Sequence, residues 1–367
     1  MKKIVILLIV FALLACACPA YACTGFAVYG DTPIYGMNFD YPLTEVRLAI
    51  DQNSSIAYFA MEFEQEDGFV STVGMNGQGL FSTLQMQYPE AAGRQERGGD
   101  ELFVPELLYM IGEYATVDDL MRSVGDRRLL QWSGVTLHSL LADPTGSALI
   151  AEAGDTQNEI MPMEGNFIVM TNFTNADFRD TPYDQINGVG AGRYITACEY
   201  IQENQDGFGI DEALACLQAT TQEGGYPTLC SMAFAPEEQC VYVALHRDFD
   251  AIWKISIPGK TIETYRGFDE QLTFKIPDDG VLASDLMHGS YDKYDPVQEP
   301  EEIGTEETSA QAGEVPAEDA AADNAAGQSQ GLMYVAIVLA AAAIAASSMV
   351  MQKKRREAQD RRPRRRL

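Results

Sequence analysis

Residues 20–29 read Ala-Tyr-Ala-Cys-Thr-Gly-Phe-Ala-Val-Tyr, and Cys23 directly follows Ala20-Tyr21-Ala22, a small-x-small triplet of the kind leader peptidases cut behind. A cysteine left at a new amino terminus carries a thiol nucleophile and a free α-amine on one residue. The amine titrates near pH ~8 and a free thiol near ~8.5, so each can exchange a proton with the other close to neutrality. No separate histidine base is needed. Residues 24–29 alternate and are rich in β-formers, Gly30-Asp31 is a turn signal, and 33–41 reads as a returning strand. That hairpin brings Asp40 back beside Cys23.

The sequence ahead of Cys23 supports this exposure. Lys2 and Lys3 form a basic start, residues 4–14 an apolar stretch, and the cleavage triplet follows. A rival signal lies upstream: Leu13-Leu14-Ala15-Cys16 resembles a lipoprotein processing box, and lipidation at Cys16 would leave Cys23 internal and blocked. A second apolar run, 331–351, carries no charge over 21 residues, enough to span a bilayer as a helix. Lys353-Lys354-Arg355-Arg356 and further arginines follow at once, which by the positive-inside rule places the tail in the cytoplasm and everything before Gly331 outside. The expected organisation is a signal peptide (1–22), a catalytic domain (23–294), an acidic spacer without aromatics (295–330), a transmembrane helix (331–351) and a basic tail (352–367). The expected location is the cell membrane, single-pass, with the catalytic domain extracellular.

Setting aside the two lysines of the leader and the nine basic and two acidic residues of the tail, totals of 25 basic and 54 acidic residues leave 14 against 52, a net of −38. So negative an exterior repels nucleic acid and other polyanions. Five cysteines follow the cleavage point: Cys23, Cys198, Cys216, Cys230 and Cys240. An odd count outside the cell fits one free nucleophile and two disulfides. Local pairs Cys198–Cys216 and Cys230–Cys240 are favoured among the three connectivities. No Cys-x-x-Cys or His-Glu-x-x-His spacing occurs, so neither metal nor cofactor is expected.

Beyond the hairpin, 56–63, 69–74 and 80–86 read as strands. Helices follow near 105–111 and 116–124, the second capped by Thr116 with Asp118 and Asp119 in its first turn. Strands return at 135–142, 148–153 and 167–172, a helical pair at 192–202 and 210–220, and strands at 229–234, 240–245, 251–257 and 271–274. Blocks of strands and helices in this order suit two β layers with helices outside them. His138, on an apolar strand, reads as a core histidine, and Asn76 as the shaper of a Gly-rich turn.

Several blocks resemble the choloylglycine hydrolase family, which includes bile salt hydrolases and penicillin V acylases. They are Cys23-Thr-Gly-Phe-Ala, Gly36-Met-Asn-Phe-Asp-Tyr41, Gly74-Met-Asn-Gly-Gln-Gly-Leu80, Thr136-Leu-His138 with Asp143-Pro-Thr-Gly146, Met170-Thr-Asn172, Gly192-Arg-Tyr194 and Tyr226-Pro-Thr228. They run in the family's order across residues 23–257. The resemblance implies an α+β fold, the four-layer αββα sandwich of N-terminal-nucleophile hydrolases. It also implies roles: Cys23 as nucleophile with its own amine as base, Asp40 holding amine and thiol in register, Asn172 donating to the oxyanion, and Arg193 fixing charge beside the nucleophile.

The departures bear on substrate choice. Met37 stands where the family usually has an arginine that contacts substrate, and it supplies neither charge nor donors. Arg47 is one substitute for it. The family's second oxyanion donor falls at Met86, with Gln85 next to it. Met37, Gln85 and Met86 are therefore the expected substrate-binding positions.

The expected function is an exported cysteine amidase cleaving a linear, non-peptide amide through an acyl-thioester on Cys23. Phenylacyl amides, fatty acyl amides and N-acyl homoserine lactones are all open, while anionic bile conjugates are disfavoured. A related N-terminal cysteine dipeptidase and a catalytically silent surface binding protein are the alternatives. The expected partners are a small acyl amide and the membrane, with oligomerisation left open.

Overall fold

The computed structural model describes residues 22–89, 101–131 and 135–297. The leader, most of the acidic spacer, the apolar run 331–351 and the basic tail lie outside the described residues. Among those described, no helix is long and apolar enough to cross a membrane.

The first six strands are β1 (Ala22–Tyr29), β2 (Pro33–Asp40), β3 (Val46–Asp51), β4 (Tyr58–Gln65), β5 (Gly68–Asn76) and β6 (Phe81–Met86). A short β7 (Glu101–Phe103) leads to α1 (Glu106–Tyr109) and α2 (Val117–Val124). Next come β8 (Arg128–Leu130), β9 (Leu137–Ala142), β10 (Ala148–Ala153), β11 (Asn158–Pro162) and β12 (Phe167–Met170). Helices α3 (Ala191–Glu203) and α4 (Ile210–Ala219) precede β13 (Thr228–Ala235), β14 (Cys240–Leu245), β15 (Ile252–Ser256) and β16 (Thr261–Arg266). The described chain closes with β17 (Thr273–Lys275), β18 (Val281–Leu282) and α5 (Ala283–Met287).

Two eight-stranded antiparallel sheets result. The first has the order β12-β1-β2-β13-β14-β15-β16-β17, the second β11-β10-β9-β6-β5-β4-β3-β18. Alternation along each strand gives every sheet two apolar faces. The inner faces share one core that includes Cys23, Met37, Phe39, Phe81, Leu140 and Ile150. The outer face of the first sheet packs on α3 and α4 through Phe26, Val28, Cys198, Ile201, Leu214 and Leu217. The outer face of the second packs on α1 and α2 through Leu84, Leu107, Leu120 and Leu141. The layering is helices, sheet, sheet, helices.

Local chemistry explains the helix starts. The Thr116 side chain accepts from Asp119 N at 3.1 Å, capping α2 where the sequence placed a cap. Asn76 shapes its turn as expected: its Oδ1 accepts from Gln78 N and Leu80 N, and its Nδ2 donates to Ile111 O and Tyr114 O. The fold also runs past the expected boundary at 294. Lys275 N donates to Asp295 O and Val297 N to Thr273 O, so residues 295–297 line the edge of the first sheet.

Neither expected disulfide is formed, and for Cys230–Cys240 the strand register is the reason. All five described cysteines are buried thiols. Cys230 lies opposite Leu245 while Cys240 lies opposite Ala235. That offset along neighbouring strands is about 17 Å, far beyond the reach of a disulfide. Cys198 and Cys216 sit in the apolar layer under α3 and α4, where a thiol packs as a small hydrophobe.

Gly36 lies directly opposite Phe26 in the β1–β2 hairpin, with the ring folded over it; a Cβ there would fall 2.1 Å from Phe26 Cζ. Gly36→Ala is expected to lower unfolding stability by about 2–3 kcal/mol, read as a shift of the urea midpoint. A midpoint unchanged from the parent would overturn this packing account.

Candidate active site

Cys23 is the second residue of β1. It faces Phe39 across the β1–β2 ladder, and Ala22 faces Asp40. Because side chains alternate, the Cys23 thiol points into the inner core with Phe39 and Met37. Thr24, Asn38 and Asp40 point the other way, toward α3 and α4. There Asn38 Nδ2 donates to Leu217 O of α4 at 2.8 Å. The strand end thus divides the site: sulfur on one side of the sheet, polar partners of the main chain on the other.

Those partners converge from four places in the chain. Cys23 N donates to Asn172 Oδ1 at 2.8 Å. Asn172 follows β12, which pairs with β1. Arg193, in the first turn of α3, donates through Nη1 to Cys23 O at 2.5 Å and to Thr24 Oγ1 at 2.7 Å, and through Nη2 to Asn172 Oδ1 at 2.9 Å. The same guanidinium lies 3.7 Å from Asp40 Oδ2. Thr228 Oγ1, at the start of β13, donates to Asp40 Oδ1 at 2.5 Å. Gly190, just before α3, has φ of +85°, and a Cβ there would lie 2.9 Å from both Arg193 Nη2 and Thr171. Glycine is what lets the arginine pass.

Charge follows burial. Burial pushes the Asp40 carboxyl up to about 7, against the opposing pull of Arg193, the Thr228 hydroxyl and Arg247. Burial, and then the Asp40 carboxylate, push the Cys23 thiol up to about 12, while a hydrogen bond to the Asp40 backbone and Arg193 act the other way. In the full-length chain the Cys23 nitrogen is a peptide amide and cannot take the thiol proton. Cutting after Ala22 would replace that amide with an amine at the position now bonded to Asn172.

The structure therefore brings Cys23, Asp40, Asn172 and Arg193 together. Among the described residues Met86 O is the one acceptor of Asn172 Nδ2, at 2.8 Å, so one N–H of that amide has no acceptor among them. The three positions expected to bind substrate are placed differently. Met37 is fully buried opposite Gly25, its sulfur accepting from Thr83 Oγ1 at 3.2 Å across the gap between sheets. The Gln85 amide, oriented to satisfy both neighbours, accepts from Gly25 N at 3.0 Å and donates to Thr171 O at 3.3 Å. It is spent on backbone. Met86 stands on the opposite face of β6 from Thr83 and Gln85, and contributes its carbonyl instead. Arg47 is remote, bonded to Glu62 at 2.6 Å and stacked 4.1 Å over Phe69 on the outer face of the second sheet.

Two partners were not read from the sequence. Thr24 follows Cys23, and Thr228 stands in the Tyr226-Pro-Thr block, but nothing local announces which carboxylate or guanidinium each will meet.

Removing the Thr228 hydroxyl strips a donor from a buried carboxylate, so Thr228→Val is expected to raise the Asp40 midpoint above about 7 by about one pH unit. The sign for stability follows. A carboxyl raised from its unfolded value of about 3.9 loses stability as pH climbs from that value to the folded midpoint, and in the variant the loss runs about one unit further and is larger by that amount. Carboxylate carbon shifts of the full-length chain during titration would read the midpoint, urea unfolding at several pH values would read the stability, and an unmoved midpoint would refute the bond's role.

No family model matches the sequence, and no curated protein matches it. Among solved structures, a variant of conjugated bile acid hydrolase from Clostridium perfringens superposes with a TM-score of 0.50 at 14% identity, covering 70% of this chain and 97% of that one. A second variant of that hydrolase gives 0.50 at 14% over 71% and 98%. Penicillin V acylase from Agrobacterium tumefaciens gives 0.50 at 15% over 71% and 93%. The ordered sequence blocks and the superpositions agree: the chain carries the fold of the choloylglycine hydrolase and penicillin V acylase enzymes.

Proposed function

We propose that this chain is an amide hydrolase of the N-terminal-nucleophile type, acting on a linear, non-peptide C–N bond through Cys23. The observation that carries the reading is the single point at which Asn172 Oδ1 receives both the Cys23 nitrogen and Arg193 Nη2, with Asp40 held beside the same guanidinium. A group set built around a backbone nitrogen, rather than around a sulfur alone, suits a residue whose nitrogen takes part in chemistry.

In this mechanism the amine freed by cleavage takes the thiol proton as sulfur attacks the carbonyl carbon. The tetrahedral oxyanion receives the second N–H of Asn172, a kind of contact worth roughly 3 kcal/mol when lost. Collapse breaks the C–N bond, and the ammonium returns its proton to the departing amine. Water, deprotonated by the same α-amine, then attacks the thioester and releases the acid and the thiol. Asp40 and Arg193 hold the α-amine in place throughout.

An apolar acyl group is favoured by the rings near the nucleophile. Phe39, opposite Cys23, stacks on Tyr41 at 5.5 Å, and Phe63 packs on both at 5.1 and 4.7 Å. Met37 removes the charge that would attract an anionic conjugate. Export and a single membrane anchor rest on the leader, the apolar run 331–351 and the basic tail; detergent-dependent extraction from membranes tests that part.

Intact mass of the exported protein is expected to start at Cys23, and the mature form to release acid from at least one member of a panel of phenylacyl, fatty acyl and homoserine lactone amides. Cys23→Ala should cut turnover at least about a thousandfold, and Cys23→Ser nearly as far. A mature chain retaining residues ahead of Cys23 would overturn the mechanism. Correct processing with no turnover across the panel would favour the silent binding protein. For the same chemical reason iodoacetamide is expected to label Cys23 of the full-length chain far more slowly than that of the mature one.

A further inference from the structure

We propose that Glu152 is a positioning residue for Asn172: its buried carboxylate gathers residues 175 and 176 onto the second sheet and so fixes where the Asn172 amide meets Cys23. The inference rests on the reading of Cys23 as nucleophile and Asn172 as its partner.

Glu152 lies on β10, opposite His138 of β9, and is 1% exposed. Its carboxylate receives four donors: Asn175 N at 2.7 Å, Asn175 Nδ2 at 3.0 Å and His138 Nδ1 at 3.1 Å, all on Oε1, and Ala176 N at 3.1 Å on Oε2. Burial raises this carboxyl, yet His138 and Asn175 together hold it below the usual range. An ionised carboxylate only accepts, which assigns the His138 proton to Nδ1. His138 Nε2 is buried with no hydrogen-bond partner among the described residues. A carboxylate placed among apolar strands is costly unless donors replace its water. Here most of the donors come from one short segment, so the charge organises that segment.

The segment is the bridge that carries Asn172 from the first sheet to the second. Its near end is laced to residues 86–88: Asn172 Nδ2 to Met86 O at 2.8 Å, Tyr88 N to Asn172 O at 2.6 Å, and Thr174 N to Tyr88 O at 3.2 Å. Its far end is held by Glu152. Glutamine has the same shape but would turn an NH2 toward some of those donors, loosening the far end while leaving Asn172 in place chemically.

The test is a double-mutant cycle between Glu152→Gln and Asn172→Ala in the mature protein, with Asn175→Ala as a milder third variant. Two readouts are taken: kcat and KM on whichever panel amide is turned over, and the rate of Cys23 alkylation by iodoacetamide. Glu152→Gln is expected to lower kcat about 10–100-fold with KM within about twofold, and its effect should vanish in the Asn172→Ala background. Asn175→Ala should act in the same direction by about threefold to tenfold. Should Glu152→Gln fail to fold, the Asn175→Ala cycle stands in for it. Effects that multiply independently of Asn172, or a loss of thermal stability with kcat and alkylation unchanged, would overturn the proposal. If no amide is turned over, the alkylation cycle still decides it, separately from the proposed function.

Discussion

The site depends on one cation held where a helix does not favour it. Arg193 occupies the first turn of α3, near the positive end of the helix dipole, a placement that disfavours a guanidinium by a few tenths to about 1 kcal/mol. It stays because Cys23 O, Thr24 Oγ1, Asn172 Oδ1 and the Asp40 carboxylate all face it. Remove the guanidinium and each of these oxygens becomes a buried acceptor short of a donor, in a layer that excludes water. The arginine thus ties strand ends and a helix together around Cys23.

The hairpin that opens the domain was legible because its signals are local: alternation, a Gly-Asp turn, and Asp40 falling in register with the start of β1. Thr116 and its two aspartates likewise announced α2. The missed strands were less local in cause. Residues 46–51 do alternate, with Val46, Leu48 and Ile50 inward and Arg47, Ala49 and Asp51 outward. Yet they follow Pro42 and a polar stretch, and it is pairing with β4 and β18 that makes them a strand. β16 is similar, held between β15 and β17 rather than by its own composition. Tertiary pairing, not propensity, decides such segments.

The four residues the family pattern pointed to are neighbours in space, and that much was readable from ordered blocks. Their environment was not. Gln85 looks from the sequence like a spare donor, but its amide is bound to the backbone of Gly25 and Thr171, a contact set by how closely β6 approaches β1. Glu152 looks like an interruption in the apolar stretch Ala148–Ala153, and only the fold brings Asn175 and Ala176 to it from more than twenty residues away. A cysteine count cannot tell that Cys230 and Cys240, ten residues apart, end up displaced along neighbouring strands. Burial and register carry that information, and both are properties of the finished sheet.

The pairing of Ala22 with Asp40 has a temporal corollary. A peptidase grips its target as an extended segment and must reach the backbone on either side of the bond it cuts. Here the residue before the bond is already zipped into an interior ladder, and the one after it is 6% exposed. Once the sandwich has closed, the junction is out of a protease's reach without peeling the first strand from its neighbours. On the proposed mechanism, trimming must therefore come before collapse, because a chain delayed at the cutting step would be sealed shut with its α-nitrogen still acylated.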